Sequence, residues 1–310
     1  MNSTNFDYAG RKILVTGASG FIGSSLCHKL IELRAEVHAT SRRQRSAHAK
    51  ALQWWQWDMV DLETMRKVFH SVQPEIIFHL ASHVSGSRDL DALLPTFQAN
   101  LVSTVNLLTL AAHQGCQRVV LAGSSEEPEL GPVEPVPCSP YAAAKWAGSG
   151  YARMFHQLYK LPVVTARIFM SYGPGQADVQ KLIPYVTLSL LKGVVPGLSS
   201  GSREVDWIYV EDVVSGLLAA GTASNVEGAA FDLGTGIPVS IRTVVEKLSS
   251  LLKSPIEPVF GALPERPFER LRIANTSHSY EKLGWKAVVS LDEGLIRTAQ
   301  WYHDHLDEFA

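Results

Sequence analysis

The chain has 310 residues, 46% hydrophobic and 19% charged, which fits a globular protein of about two domains. Lys and Arg total 28 against 30 Asp and Glu, for a net charge of −2. That balance excludes an electrostatic case for nucleic acid or an anionic membrane, so an anionic ligand must be met by a few local arginines. Cys27, Cys116 and Cys138 are odd in number and far apart, so no disulfide framework or CxxC pair is read. No run reaches the roughly 18 apolar residues of a membrane span, and the polar Met1–Asn5 start lacks a signal-peptide core. The expected setting is the cytoplasm.

Strand-like and helix-like segments alternate through the first half. Lys12–Thr16 is a short apolar run, and Phe21–Arg34 carries Phe21, Ile22, Leu26, Leu30 and Leu33 at helical spacing. Glu36–Thr40 and Trp54–Trp57 read as strands, with the tryptophans packing on both strand faces. Asp61–Val72 reads as a helix, Ile76–Leu80 as a strand and Asp91–Gln114 as one long helix. Arg118–Ala122, Ser139–Lys160 and Pro162–Phe169 continue as strand, helix, strand. Glu127–Pro140 holds five prolines and must be loop.

Gly173-Pro174-Gly175 breaks the rhythm and marks a domain boundary. Beyond it, helices near Val179–Lys192, Glu211–Gly221 and Ser240–Leu252 alternate with strands near Trp207–Val210 and Ala229–Leu233. A loop over Pro255–Pro267 and two closing helices follow. The pattern predicts an α/β chain: a Rossmann-type, doubly wound parallel sheet with helices on both faces, and a smaller C-terminal α/β substrate domain. The expected domains are 1–175 and 176–310, with segments near 207–253 returning to the first.

The first strand runs into Gly17-Ala18-Ser19-Gly20-Phe21-Ile22-Gly23. Gly17 allows the tight turn, Gly20 a close approach of backbone to a pyrophosphate, and Gly23 close packing of helix on sheet. The helix start then offers N–H groups and a positive dipole end to phosphate, with Ser19, Phe21 and Ile22 completing the contact surface. The second strand ends in Thr40-Ser41-Arg42-Arg43, without the carboxylate that would hold the ribose of NAD. Ser41 and Arg42 suit a 2′-phosphate, so NADP(H) is expected over NAD(H). The bland alternative is a solvated basic loop formed by Arg42, Arg43 and Arg45. Asp58 either meets the adenine or caps the next helix, a role that Asp61 can also fill.

Ser139 is a good N-cap and Pro140 a good first helical residue, which sets Tyr141 and Lys145 one turn apart on one face. A cation near a phenol favours the phenolate, so Lys145 is expected to lower the pKa of Tyr141. The fifth strand ends in Gly123-Ser124-Ser125-Glu126-Glu127, at the sheet edge where such folds place their chemistry. No metal site is read: His79 and His83 lie on a strand end and its loop, and His303 and His305 on a polar terminal helix.

These motifs resemble the extended short-chain dehydrogenase/reductases, the NAD(P)-dependent epimerase/dehydratase family that acts on nucleotide sugars. So do Ile77–Ser82, Asn100, Tyr172-Gly173-Pro174 and Asp206–Asp212. Gly-Ser-Ser-Glu-Glu followed by Ser-Pro-Tyr-x-x-x-Lys is most similar to reductases of nucleoside diphosphate 4-keto-6-deoxyhexoses, such as the GDP-4-keto-6-deoxymannose reductases. The resemblance implies Tyr141 as acid/base, Lys145 as its tuner and ribose ligand, and Ser125 as holder of the substrate oxygen, with Ser124 the alternative. It implies that Leu80, Ala81 and Ser82 line the cofactor channel and that Asp58 meets adenine. Arg203 and Arg266 would bind the substrate phosphates, with Glu126 and Trp207 also at the substrate. Asp91–Gln114 and the helix after Tyr141 resemble the family's homodimer-forming pair.

Three departures stand out. The loop after Glu127 lacks the usual Tyr-Gly, Met170 stands where relatives have asparagine, and Val205 where arginine is frequent. The implied reaction is NADPH-dependent reduction at C4 of the sugar. The alternatives are a dehydratase or epimerase with retained NAD, in which Glu126 and Glu127 work as an acid/base pair, and a non-catalytic dinucleotide sensor.

Overall fold

The computed structural model describes residues 6–45, 51–129, 131, 134–265 and 271–309. At its centre is β1 (Lys12–Thr16), whose Ile13, Leu14 and Val15 are fully buried, as a strand covered on both faces requires. Parallel to it lie β2 (Glu36–Ser41) on one side and β4 (Ile76–His79) on the other. β3 (Leu52–Gln56) extends the sheet past β2. β5 (Arg118–Ser124) and β6 (Val163–Ile168) extend it past β4, and β10 (Ala230–Leu233) forms the far edge. The order is β10-β6-β5-β4-β1-β2-β3, as expected for a doubly wound sheet. Its direction of growth reverses between β1 and β4, and the crevice beyond their carboxyl ends is where such sheets bind ligands.

Four helices cover these strands: α1 (Phe21–Glu32), α2 (Leu62–Val72), α4 (Ser103–Gln114) and α5 (Pro140–Tyr159). One core joins Leu14, Ile77, Val119 and Val163 of the sheet to Met65, Leu107, Ala152 and Phe155 of the helices. Both predicted caps form. Asp61 Oδ1 accepts from the Glu63 and Thr64 N–H groups, and Ser139 Oγ from that of Ala142.

The long helix expected over Asp91–Gln114 is interrupted. A 3₁₀ turn (Leu90–Ala92) and a short α3 (Leu93–Thr96) lead into a π turn over Phe97–Val102 before α4 begins. Pro95 is tolerated in the first turn because its missing N–H is not needed there. The π turn sets Asn100, 2% exposed, against the loop after β4. The expected strand Trp54–Trp57 begins and ends earlier. Trp57 has left the strand for the core, and Trp54 lies under the Arg45 guanidinium, 5.5 Å from ring centre to Cζ.

The chain forms two compact units. The first comprises 1–168, 214–232 and 277–285, and the second 169–213, 233–276 and 286–310. The strand expected over Pro162–Phe169 stops at Ile168, and the chain enters the second unit as β7 (Met170–Tyr172). There β9 (Glu204–Tyr209) lies between β7, parallel to it, and β11 (Pro238–Ser240), antiparallel. Helices α6 (Leu182–Leu191), α8 (Ile241–Leu251) and α10 (Leu291–Asp304) contribute Val186, Val245 and Leu295 to a core with Val205, Trp207 and Tyr209. The helix expected from Val179 starts three residues later, because Asp178 folds into a turn that accepts the Gln180 N–H. The two-residue strands β8 (Gly197–Leu198) and β12 (Val259–Phe260) pair in parallel. α7 (Val210–Thr222), α9 (Thr276–Leu283) and a 3₁₀ turn (Leu306–Phe309) complete the elements among the described residues. Among the described residues no helix is long and apolar enough to cross a membrane.

Asp206, 1% exposed, ties the second unit together. Its Oδ1 accepts from Thr235 N and Oγ1 at 2.8 and 2.7 Å. Its Oδ2 accepts from Gly236 N and Ala274 N at 2.9 and 3.1 Å. Removing the carboxylate strands four donors at once, one buried and three half-buried. Asp206→Ala is therefore expected to cost about 3–5 kcal/mol in urea unfolding, with Asp206→Asn costing less. An unchanged Asp206→Ala midpoint would contradict the clamp.

Candidate active site

The glycine turn closes by contact. Gly17 has φ +69°, and a Cβ on it would sit 2.6 Å from Ala81 N and 2.7 Å from Leu80 C. A Cβ on Gly23 would sit 2.2 Å from the Gly17 carbonyl oxygen. Backbone can yield at neither place, so only glycine lets β1 meet the loop after β4 and α1 meet the turn. Gly20, the N-cap of α1, makes no side-chain cap bond, and both it and Ser19 are exposed. The first-turn N–H groups, with half-buried Phe21 and Ile22, thus face outward as an anion seat. A dinucleotide pyrophosphate fits this cradle.

At the end of β2, Ser41 is buried and accepts the Arg43 N–H at 3.2 Å, while the Arg42 side chain is exposed. Asp58 is exposed and accepts the local Val60 N–H; Asp61 does the capping. Leu80, Ala81 and Ser82 follow β4, half-buried.

A directed chain of hydrogen bonds holds this loop. Thr16 Oγ1 accepts from Ala81 N at 3.2 Å and contacts His79 Nδ1 at 2.8 Å. His79 Nε2 contacts Thr104 Oγ1 at 3.1 Å, and Thr104 donates to the Asn100 carbonyl at 2.6 Å. With the Thr104 proton spent, His79 Nε2 must be the donor and Nδ1 the acceptor, which fixes a neutral tautomer. Burial holds the His79 pKa down to about 3, in keeping with that. The Asn100 side chain then accepts from Ser82 Oγ and His83 N and donates to His83 O.

Tyr141 and Lys145 lie on the buried face of α5, with Lys145 Nζ 5.8 Å from the Tyr141 ring centre. Lys145 Nζ donates to the Ala122 carbonyl at 2.8 Å. Burial lowers its pKa to about 8, partly offset by Glu127. The expectation that Lys145 lowers the Tyr141 pKa is not met. Burial raises it, Glu126 and Glu127 add to the rise, and the hydroxyls of Ser124 and Ser82 beside the phenol work the other way. Desolvation of the phenolate is the largest cause, and Lys145 does not figure among the groups that offset it.

The four residues after Gly123 point different ways. Ser124 is buried, neighbours the phenol and accepts the Glu126 N–H on Oγ at 3.1 Å. Ser125 is half-buried, its N–H bonded to the Ile168 carbonyl. Glu126 is exposed, with Oε2 3.4 Å from Ser139 Oγ and 3.8 Å from Cys138 Sγ. Glu127 is 5% exposed and turns inward. Its Oε1 accepts from Ser124 N at 2.8 Å, and its Oε2 from Ser149 Oγ at 2.7 Å. The two carboxylates are therefore not a pair. The contact of Ser82 with the phenol was not legible in the sequence, because it depends on the Asn100 anchor.

Of the residues expected at the substrate, Arg203 and Trp207 belong to the second unit. Arg203 is half-buried and acts on Glu265, and Trp207 is a core residue whose indole N–H donates to Val239 O at 3.1 Å. Arg266 lies outside the described residues. Among the described residues there is no group of three or more His, Cys, Asp or Glu able to hold a metal ion.

A profile of the NAD dependent epimerase/dehydratase family matches residues 13–234, and the chain belongs to that family. It is 32% identical to a UDP-glucose 4-epimerase of Mycolicibacterium smegmatis, over 94% of this chain and 99% of the relative. It is 27% identical to a dTDP-glucose 4,6-dehydratase of Haemophilus influenzae, over 94% and 97%. Among solved structures it resembles a Thermotoga maritima UDP-glucose 4-epimerase with UDP-glucose, with TM-score 0.85, 28% identity and coverage of 95% and 99%. It also resembles the Bordetella bronchiseptica enzyme WbmF in complex with NAD+ and UDP, with TM-score 0.83, 25% identity and coverage of 97% and 94%. Membership makes the chain an enzyme of a nicotinamide-dependent family.

The depressed Lys145 pKa has a stability consequence with a definite sign. Between about 8 and the usual 10.5 the unfolded chain binds the extra proton, so this group's destabilising effect is full below pH 8 and fades as pH rises. The stability of Lys145→Met relative to wild type is therefore expected to fall by up to about 3 kcal/mol between pH 7 and pH 11, on top of the loss from leaving Glu127 without its counter-charge. Thermal melts of both proteins across that range check it, and a difference that does not move with pH would refute it.

Proposed function

We propose that the chain reduces the keto group at C4 of a nucleoside diphosphate 4-keto-6-deoxyhexose with NADPH. The observation that carries this reading is the state of the acid groups. Tyr141 is buried and held protonated beside two serine hydroxyls, ready to give a proton. Reduction needs that proton donor and no second acid/base group. Elimination needs a pair, and Glu127 is committed to Ser124 and Ser149.

A bound nicotinamide cofactor supplies hydride to the carbonyl carbon. The Tyr141 hydroxyl donates its proton to the developing alkoxide, leaving a phenolate that solvent reprotonates. Lys145 is charged below about pH 8 and favours that phenolate. Ser125, or Ser124 in its place, donates a hydrogen bond to the substrate oxygen as charge develops. Ser41 and Arg42 at the β2 end support NADP(H), and Asp58 is free to meet the adenine. Arg203, with Trp207 and Arg266, is proposed at the sugar nucleotide, on the resemblance alone.

Exposed Leu94 on α3, Phe97 on the π turn and Leu158 on α5 support a homodimer. Two buried thiols and a half-buried third, none in a disulfide, suit the cytoplasm.

A second reading, a 4-epimerase or 4,6-dehydratase with retained NAD, is favoured by the names of the relatives. The two separate in the purified protein. Reduction predicts NADPH consumption with 4-keto sugar nucleotides and at least about tenfold preference over NADH, weakened by Arg42→Ala. Tyr141→Phe should lose about 10²–10⁴-fold in kcat. Tightly held NAD, with turnover needing no added cofactor, would overturn the reductase reading.

A further inference from the structure

Glu127 is the buried ionisable group at this site that the reaction leaves unused. Its place is built in. Gly123 makes room for it, since a Cβ there would lie 2.5 Å from Glu127 Oε1. The reverse turn that closes from Glu127 N to the Ser124 carbonyl points the side chain back under the strand end. Both carboxylate oxygens are held, one by the Ser124 N–H and one by the Ser149 hydroxyl on the next helix. One side chain thus ties the β5 end, the catalytic serine pair and α5.

The charged surroundings say what the carboxylate is for. Lys145, on the same face of α5 as Ser149, lies within electrostatic reach of Glu127. The other groups facing this pair are few. His79 on β4 is neutral. Tyr141 on α5 is protonated. Glu126 is exposed to water. Arg167 on β6 acts on Glu127, and its guanidinium is bound to Asp232 through Nε at 2.6 Å. Among these, Glu127 supplies the buried negative charge nearest in effect to Lys145: burial raises its pKa, and the Ser149 hydroxyl, the Ser124 amide, Arg167 and Lys145 work the other way.

We infer that Glu127 is a positioning residue: it is the buried counter-charge of Lys145, one turn along α5 from its Ser149 partner, and its hydrogen bond to the Ser124 amide fixes the serine beside Tyr141. Without it, the desolvated ammonium would lose its proton at a lower pH, and the phenol would lose the cation that favours its anion. This inference rests on Tyr141 and Lys145 being the acid/base pair proposed above. The charge relation itself can be measured without turnover.

The test is a Lys145 titration by NMR on lysine-labelled full-length protein, assigned with Lys145→Met. In wild type the Lys145 resonance should titrate near pH 8. Glu127→Gln keeps an acceptor for Ser124 and a partner for Ser149 but removes the charge. It should move the midpoint down by about one pH unit or more, and the alkaline limb of the kcat profile with it. Glu127→Asp should hold the midpoint near the wild-type value. If Glu127→Gln does not fold, the wild-type Ser124 amide serves instead: bonded to Oε1, it should shift with the Lys145 midpoint. A Glu127→Gln midpoint equal to wild type, or a Ser124 amide flat from pH 7 to 9, overturns the inference. A shifted Lys145 midpoint with no reduction of any 4-keto sugar nucleotide would leave it standing and sink the proposed reaction.

Discussion

An ammonium and a carboxylate cannot be buried in the contact between a sheet and a helix unless each has compensation. That constraint governs this site. Lys145 is placed there by the packing of α5 on β5, and its Nζ finds the Ala122 carbonyl and the field of Glu127. Glu127 finds two donors. The same loss of water that makes the pair expensive keeps Tyr141 protonated. The acid/base chemistry proposed for this site and its destabilisation therefore have one source, as is common where an active site is built from desolvated charge.

The second organising element is the loop after β4. Its position depends on a steric contact, Gly17 against Leu80 and Ala81, and on the hydrogen-bond chain from Thr16 through His79 and Thr104 to Asn100. Because that chain has one direction, protonating His79 would break it at Nδ1. The π turn is part of the arrangement: it sets Asn100 so that its side-chain amide can hold Ser82 and His83 at once. Ser82 then reaches the phenol. The glycine turn and the surroundings of the Tyr141 phenol share this one loop.

The elements legible in the sequence were those whose reasons are local. An apolar run bounded by glycine gave β1, and Asp61 and Ser139 announced their helices at the right residues. Tyr141 and Lys145 were legible because four-residue spacing on a capped helix leaves little freedom. The strands β7, β8, β11 and β12, two or three residues each, left no periodicity to detect. The opposite fates of Glu126 and Glu127 were also hidden. Adjacent identical residues carry no mark of which will turn inward, and that is decided by space above Gly123 and a hydroxyl on α5. The rise of the Tyr141 pKa was missed because spacing reveals the nearby cation but not the loss of water.

The interleaving of the two units bears on how the protein is made. The chain passes between them at 168/169, 213/214, 232/233, 276/277 and 285/286. β6 hydrogen-bonds to β10, which begins only at Ala230, so the nascent sheet leaves the ribosome with an open edge at β6. All of the second unit's first segment must be synthesised before that edge is covered. Exposed strand edges of this kind pair readily with other chains. The interval between translation of Ile168 and of Leu233 is thus the stretch of biosynthesis in which chaperone protection of this chain matters most.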